Sequence, residues 1–350
     1  MIPLTKVRQS NMELLRIIAM FLIVLYHVCL YVLSKYEGQY PLIKSVYTLS
    51  HIGVILFVLI SGYFGIKSSI SGLAKIYFSM VFYNVILYVC WIKIGHNTVD
   101  KIDVVKLFLP FTHSAPWLWF MKTYVMLYIL SPLLNKARDF KSAKLLSCVG
   151  GGNILILTCL GVVLFWFGWL NHNNDLYDGR NIIEFAFLYL LGACYHDRVV
   201  ITDENRLRYR RIFLWSYIVL CVVVGVVLYF VEGSLLDLTR NISHPYSSPI
   251  MIAMASLLFL LFTTFQFKSR FVNWAAGAVL AVYLVHENKY FDFIPMYQFI
   301  EYHFIHDSAL LFIALLIATI LVLMLASILI DKVRIETWKL RKRECHVGRF

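Results

Sequence analysis

Ser308-Ala-Leu-Leu-Phe-Ile-Ala-Leu-Leu-Ile-Ala-Thr-Ile-Leu-Val-Leu-Met-Leu-Ala-Ser-Ile-Leu-Ile330 runs from end to end without a charge. A helix of that length rises about 35 Å, enough to cross the roughly 30 Å hydrocarbon core of a bilayer. Leu145–Leu170 and Ile212–Val231 are equally free of charge. Across the chain 60% of residues are hydrophobic and 15% charged, with a mean hydropathy of +0.74. Soluble domains run near half apolar and a quarter charged, so lipid must be the solvent for much of this surface. The expected fold is all-α and polytopic.

Working outward from those three runs, the expected spans are residues 14–34, 45–66, 76–95, 116–135, 145–170, 182–195, 212–231, 249–267, 271–290 and 308–330, about ten transmembrane helices. The first is followed by Lys35, Tyr36 and Glu37 rather than by a small-residue cleavage site, so it reads as a retained helix. The sixth is short and contains Glu184. Charge supports it nonetheless. With ten spans and both termini cytoplasmic, 23 of the 32 Lys and Arg residues fall on the cytoplasmic side, eight outside and Lys122 within a span. That is the bias of the positive-inside rule, and deleting the sixth span would place the Arg198–Arg211 cluster outside.

The net charge of +12 is thereby explained by cytoplasmic loops, and no nucleic-acid partner is expected. The seven cysteines show no CxxC spacing and fall mostly in apolar runs, as buried small hydrophobes do. No metal-ligand spacing is present, so no metal is expected. Loops are short, and residues 1–350 read as a single membrane-embedded domain.

Ionisable side chains inside a span are costly and mark functional sites by default. Arg16 and His27 lie eleven residues apart on the first helix, hence on nearly one face and about 16 Å apart along the axis. Each alone has a plainer reading, Arg16 as a positive-inside anchor and His27 as a buried, hydrogen-bonded histidine. His51, Lys122, Glu184 and the pair His286–Glu287 fall at similar depth in the outer halves of other spans. Together they predict a polar chamber reached from a basic cytoplasmic rim.

The segment Leu15-Arg16-Ile17 through Leu25-Tyr26-His27 resembles the Arg–ten residues–His signature that opens the acyltransferase 3 family. Phe57-Val58-Leu59-Ile60-Ser61-Gly62-Tyr63-Phe64 resembles its Ser-Gly-aromatic segment, and Lys67 and Lys75 follow on the expected cytoplasmic side. Trp117-Leu118-Trp119-Phe120, with Tyr128 and Pro132, is similar to its Trp…Tyr…Pro span. Tyr283-Leu284-Val285-His286-Glu287 is similar to its Tyr-Leu-x-His segment. Many members carry a Glu in the Trp…Tyr block where this chain has only Lys122 as an ionisable residue. The chain looks like the shorter, polysaccharide-modifying branch without the fused extracytoplasmic esterase-like domain.

The resemblance implies transfer of an acyl group, usually acetyl from acetyl-CoA, to a hydroxyl of a surface polysaccharide or lipid-linked glycan at the cell membrane, the bacterial cytoplasmic membrane being expected. Arg16, Lys67 and Lys75 are the expected contacts for the acyl-CoA phosphates. His27 is the expected general base, with His286 and Glu287 orienting the acceptor or sharing the proton. A lipid-linked glycan flippase or polymerase and a small-molecule transporter remain the competing classes. No internal repeat speaks for the transporter.

Overall fold

The computed structural model describes residues 8–36, 41–99, 101–111, 118–139, 178–230 and 245–347. Among these, every regular element is helical: α1 (Ser10–Lys35), α2 (Pro41–Ser50), α3 (Gly53–Phe64), α4 (Ile70–Lys93), α5 (Lys101–Leu107), α6 (Trp119–Asp139) and α7 (Ile182–Arg198). They continue with α8 (Arg206–Phe230), α9 (Pro249–Thr263), α10 (Arg270–Ala276), α11 (Val279–His286), a 3-10 turn at Lys289–Phe293, α12 (Met296–His306) and α13 (Ala309–Val347). The expected span at 145–170 lies outside the described residues.

Among the described residues, five stretches are long and apolar enough to cross a membrane: Ser10–Lys35, Ile43–Phe64, Ile70–Lys93, Arg206–Phe230 and Ala309–Trp338. Pro249–Thr263 and Arg270–His286 are apolar and shorter. Helix starts follow local chemistry. Ser69, Asn181, Ser248 and Ser269 each turn a side-chain oxygen to a backbone N–H of the first turn, and Pro249 follows its cap where its missing N–H costs nothing.

Two expected spans are broken. Residues 45–66 form α2 and α3, separated by a turn at His51–Ile52. Residues 271–290 form α10 and α11, joined at Gly277–Ala278 and followed by the 3-10 turn. The first break falls beside the polar pair Ser50–His51, just before Gly53, and the second at Gly277; neither interrupts its apolar run for long enough to divide the expected span.

The centre is built from α1, α3 and α11. In α3, Ile55, Leu56, Val58, Leu59 and Ile60 are fully buried. It crosses α7 backbone to backbone: a Cβ on Gly62 would stand 1.9 Å from the carbonyl oxygen of Tyr189, and one on Gly192 would stand 2.2 Å from that of Leu59. Small residues at such crossings let helices approach where no hydrophobic drive from water operates. The outer surfaces of α8 and α13 expose Val219, Val222, Val223, Leu321, Val322 and Leu325, the apolar face a lipid-facing helix needs.

Polar clamps hold the ends. Glu301 on α12 accepts from Lys35, Tyr36 and Tyr31, and these hydrogen bonds hold its carboxyl below the usual carboxylate range. At the opposite end of α1, the Ser10 hydroxyl receives the Ser269 N–H at 2.9 Å and Arg8 donates to the Asn273 carbonyl at 3.0 Å. Arg210 donates to the Thr264 carbonyl at 2.7 Å on that same end. It is the basic end of the bundle.

Candidate active site

His27 projects from the middle of α1, and α11 ends at His286 with Glu287 as its C-cap. These termini meet. Nδ1 of His286 lies 2.6 Å from the Val282 carbonyl oxygen, and Nδ1 of His27 lies 2.8 Å from that of Ile23. A carbonyl only accepts, so both Nδ1 atoms carry hydrogen. His286 Nε2 is therefore a lone-pair nitrogen, and it faces Nδ1 of His27 at 3.3 Å.

On the other side of its ring, Nε2 of His27 lies 3.1 Å from Oε1 of Glu287, with His286 Nε2 at 3.7 Å from the same oxygen. A contact that short between a ring nitrogen and a carboxyl needs one proton between them. The trio is a relay with one transferable proton, held between His27 and Glu287. The His286 side chain is 0% exposed, whereas those of His27 and Glu287 keep 18% and 14%. Only the latter two can touch an incoming molecule.

The segment after Glu287 is anchored. Asn288 donates to Asn84 at 2.8 Å, both buried, and its side-chain oxygen receives the Tyr290 N–H at 3.0 Å. This ties the end of α11 to α4 and fixes Glu287 against rotation out of the site.

Around His27 the walls are aromatic. Tyr26 packs edge-on to His27 at 5.0 Å and shares a 3.1 Å hydrogen bond with Tyr47. His51 sits between Tyr26 at 4.4 Å and Tyr246 at 3.9 Å, a buried wall residue rather than a member of the relay. Trp119 continues the wall 5.3 Å from Tyr246 and carries Arg180 over its ring at 5.3 Å.

Arg180 is the cation of this chamber. Its charge reaches Tyr26, His27, Tyr47, Tyr246, Tyr283 and Glu287. It follows Gly179, whose φ of +69° and whose close approach to Ser247 only glycine tolerates. The turn is pinned by the Tyr246 N–H donating to the Asp178 carbonyl at 3.1 Å. In the sequence Arg180 is one of the eight basic residues expected outside. Its signal was being an arginine on the side of the chain where basic residues are scarce.

The other expected site residues are placed apart. Arg16 makes two hydrogen bonds to the carboxylate of Glu13, at 2.9 and 3.0 Å, and lies over the Phe64 ring at 5.9 Å. Glu13, whose side chain is 8% exposed, was not singled out from sequence because acidic residues at helix starts are ordinary. Lys67 and Lys75 are exposed, on the loop after α3 and on α4, and neither is among the contacts of Arg16. Lys122 is half-buried on α6. Glu184 is buried near the start of α7, outside the relay.

The ligand atoms of His27, His286 and Glu287 lie within 4.8 Å of one another, a spacing that could hold a divalent cation. No sequence motif announced it, since the histidines come from opposite ends of the chain. As arranged, the lone pair of His286 faces the N–H of His27, and that of His27 shares a proton with Glu287. The geometry is that of proton transfer.

An imidazole–carboxylate pair beneath a fixed cation, walled by aromatic rings, can remove a proton from a hydroxyl and steady the anion that forms on an attacked carbonyl. No curated protein and no solved structure matches the chain. A family model described as an acyltransferase domain matches residues 9–328, nearly the whole length and all of the relay. The chain therefore belongs to the acyltransferase 3 family, a family of membrane acyltransferases.

Proposed function

We propose that this protein is an O-acyltransferase of the bacterial cytoplasmic membrane, with ten spans and both termini in the cytoplasm. It moves an acyl group, acetyl in the simplest case, from cytoplasmic acyl-CoA to a hydroxyl of a surface or lipid-linked polysaccharide. One observation carries this reading: a lone-pair Nε2 on His27, 3.1 Å from Glu287, at the far side of the bundle from the basic end.

In the proposed reaction Glu287 enters as the carboxylate, the proton it shares with His27 having first left to solvent. The acceptor hydroxyl oxygen then attacks the thioester carbonyl carbon while His27 Nε2 takes the hydroxyl proton. Glu287, as carboxylate, balances the imidazolium so formed, and His286 holds the His27 ring through Nδ1. Arg180 faces the negative charge on the carbonyl oxygen in the tetrahedral intermediate. When the C–S bond breaks, the CoA sulfur leaves with the proton returned by His27. The aromatic walls formed by Tyr26, Tyr246 and Trp119 keep bulk water from competing with the sugar hydroxyl.

A His–Glu proton relay would also serve a proton-coupled transporter, and it is the match to an acyltransferase domain that favours acyl transfer over transport. Incubating the purified protein in lipid with radiolabelled acetyl-CoA and candidate glycans tests the reading. Label should appear on a glycan hydroxyl. Uptake or translocation of glycan with no thioester consumed would replace it with a transport function.

A further inference from the structure

At the basic end of the bundle lies a cavity of about 760 Å³ that the relay does not use. Its lining includes Arg8 and Gln9 just ahead of α1, Tyr63 from the end of α3, and Phe265, Gln266 and Lys268 from the segment joining α9 to α10. Small-molecule sites typically enclose about 300–1,000 Å³, so the volume suits a ligand of nucleotide size.

The chemistry is mixed in a specific way. Two cations can hold phosphate oxygens, the primary amides of Gln9, Asn11 and Gln266 can read the edge of a base, and the rings of Tyr63, Phe265 and Phe267 can stack against its face. The walls are fixed. Arg8 donates to the Asn273 carbonyl and its Nε lies 4.0 Å from the Glu13 carboxylate, while its side chain stays 55% exposed toward the cavity. Phe265 is held beneath Arg210, whose guanidinium lies 4.7 Å over its ring.

The spacing along α1 connects this cavity to the relay. Asn11, which also lines it, is about 7.5 Å below Arg16 along the helix, and Arg16 is about 16 Å below His27. Tyr63 at the cavity wall packs against Phe64 at 5.2 Å, and Phe64 lies under Arg16. A pantetheine arm is about as long as four extended residues, roughly 15 Å. With its diphosphate at Arg16, a CoA thioester reaches His27, and its adenosine phosphate end falls in the cavity.

We infer that the Arg8–Lys268 cavity binds the phosphorylated adenosine of acyl-CoA, a role for which Lys67 and Lys75 are not needed. The inference rests on the acyl-CoA reading proposed above. The test uses the full-length protein in lipid nanodiscs with radiolabelled acetyl-CoA, competed by adenosine 3′,5′-bisphosphate. The bisphosphate should displace acetyl-CoA from wild type. Arg8→Gln and Lys268→Gln should each weaken acetyl-CoA binding about tenfold, the scale of one charge-assisted hydrogen bond. Lys268 is an exposed loop residue, so its variant carries the test should Arg8→Gln fail to accumulate. Wild-type binding with unchanged affinity in Lys268→Gln overturns the cavity assignment and leaves the donor reading standing. No acetyl-CoA binding by wild type overturns the donor reading and the cavity assignment together.

Discussion

Nε2 of His27 and Oε1 of Glu287 stand 3.1 Å apart, the closest approach within the relay, while His286 touches His27 only from behind, at Nδ1. That arrangement assigns different work to the two histidines. One ring exchanges the proton and the other keeps it aimed.

His27→Gln should therefore lower acyl transfer by about 10²–10⁴-fold, the usual worth of a general base, with donor binding retained. Glu287→Gln should also lose activity, because the imidazolium would lack its counter-charge. Glycan acetylation and acetyl-CoA binding measured on one membrane preparation check both. Near-normal transfer by His27→Gln at equal expression would remove it as the base.

Arg180→Gln should reduce turnover by roughly 10- to 100-fold, less than the loss of a fully buried oxyanion donor, because Arg180 is exposed. Arg180→Lys should recover part of that loss. The readout is kcat against KM for the acyl donor: a change confined to KM would make Arg180 a binding residue only.

Gly62→Ala should destabilise the fold by several kcal/mol, since its new Cβ would collide with the Tyr189 carbonyl and the backbone of α7 would have to shift. Gly225→Ala is the control, as a Cβ there meets nothing closer than 4.0 Å. Thermal inactivation in detergent compares them. Equal melting of the two variants would mean that α3 and α7 are free to separate.

Cysteine introduced at Asn205, between α7 and α8, should resist an impermeant thiol reagent in intact cells. Cysteine at Asn174, outside the described residues, should react. The reverse pattern would invert the proposed topology.

Because the lone pair of His286 is turned to the Nδ1–H of His27 rather than outward to a ligand position, stripping divalent ions with a strong chelator should leave transfer unchanged. Loss of activity restored stoichiometrically by zinc would turn His27, His286 and Glu287 into metal ligands.

Much of this was legible in the residues. Uncharged runs such as Ile212–Val231 and Ser308–Ile330 name α8 and α13 directly, since hydropathy is summed locally. The kinks at His51 and Gly277 were not legible, because one or two polar or small residues in an apolar run rarely break a helix and here packing decides that they do. Gly53 shows why: a Cβ there would stand 2.6 Å from the Ala19 carbonyl of α1, a constraint written in another helix. His27, His286 and Glu287 were each suspect as ionisable groups in apolar sequence. Their convergence, and the assignment of His286 to a supporting place, needed the fold. Arg180 was hidden by its loop position, and Asn84 and Asn288 by being ordinary amides until buried against each other.

The shortness of α9 has a consequence for what must surround it. Fifteen residues rise about 22 Å, well below the roughly 30 Å of a typical hydrocarbon core. Yet only Ala253 of its fifteen residues is exposed, so α9 is enclosed by its neighbours rather than by acyl chains, and its shortfall in length is met by packed protein instead of by a thinned bilayer.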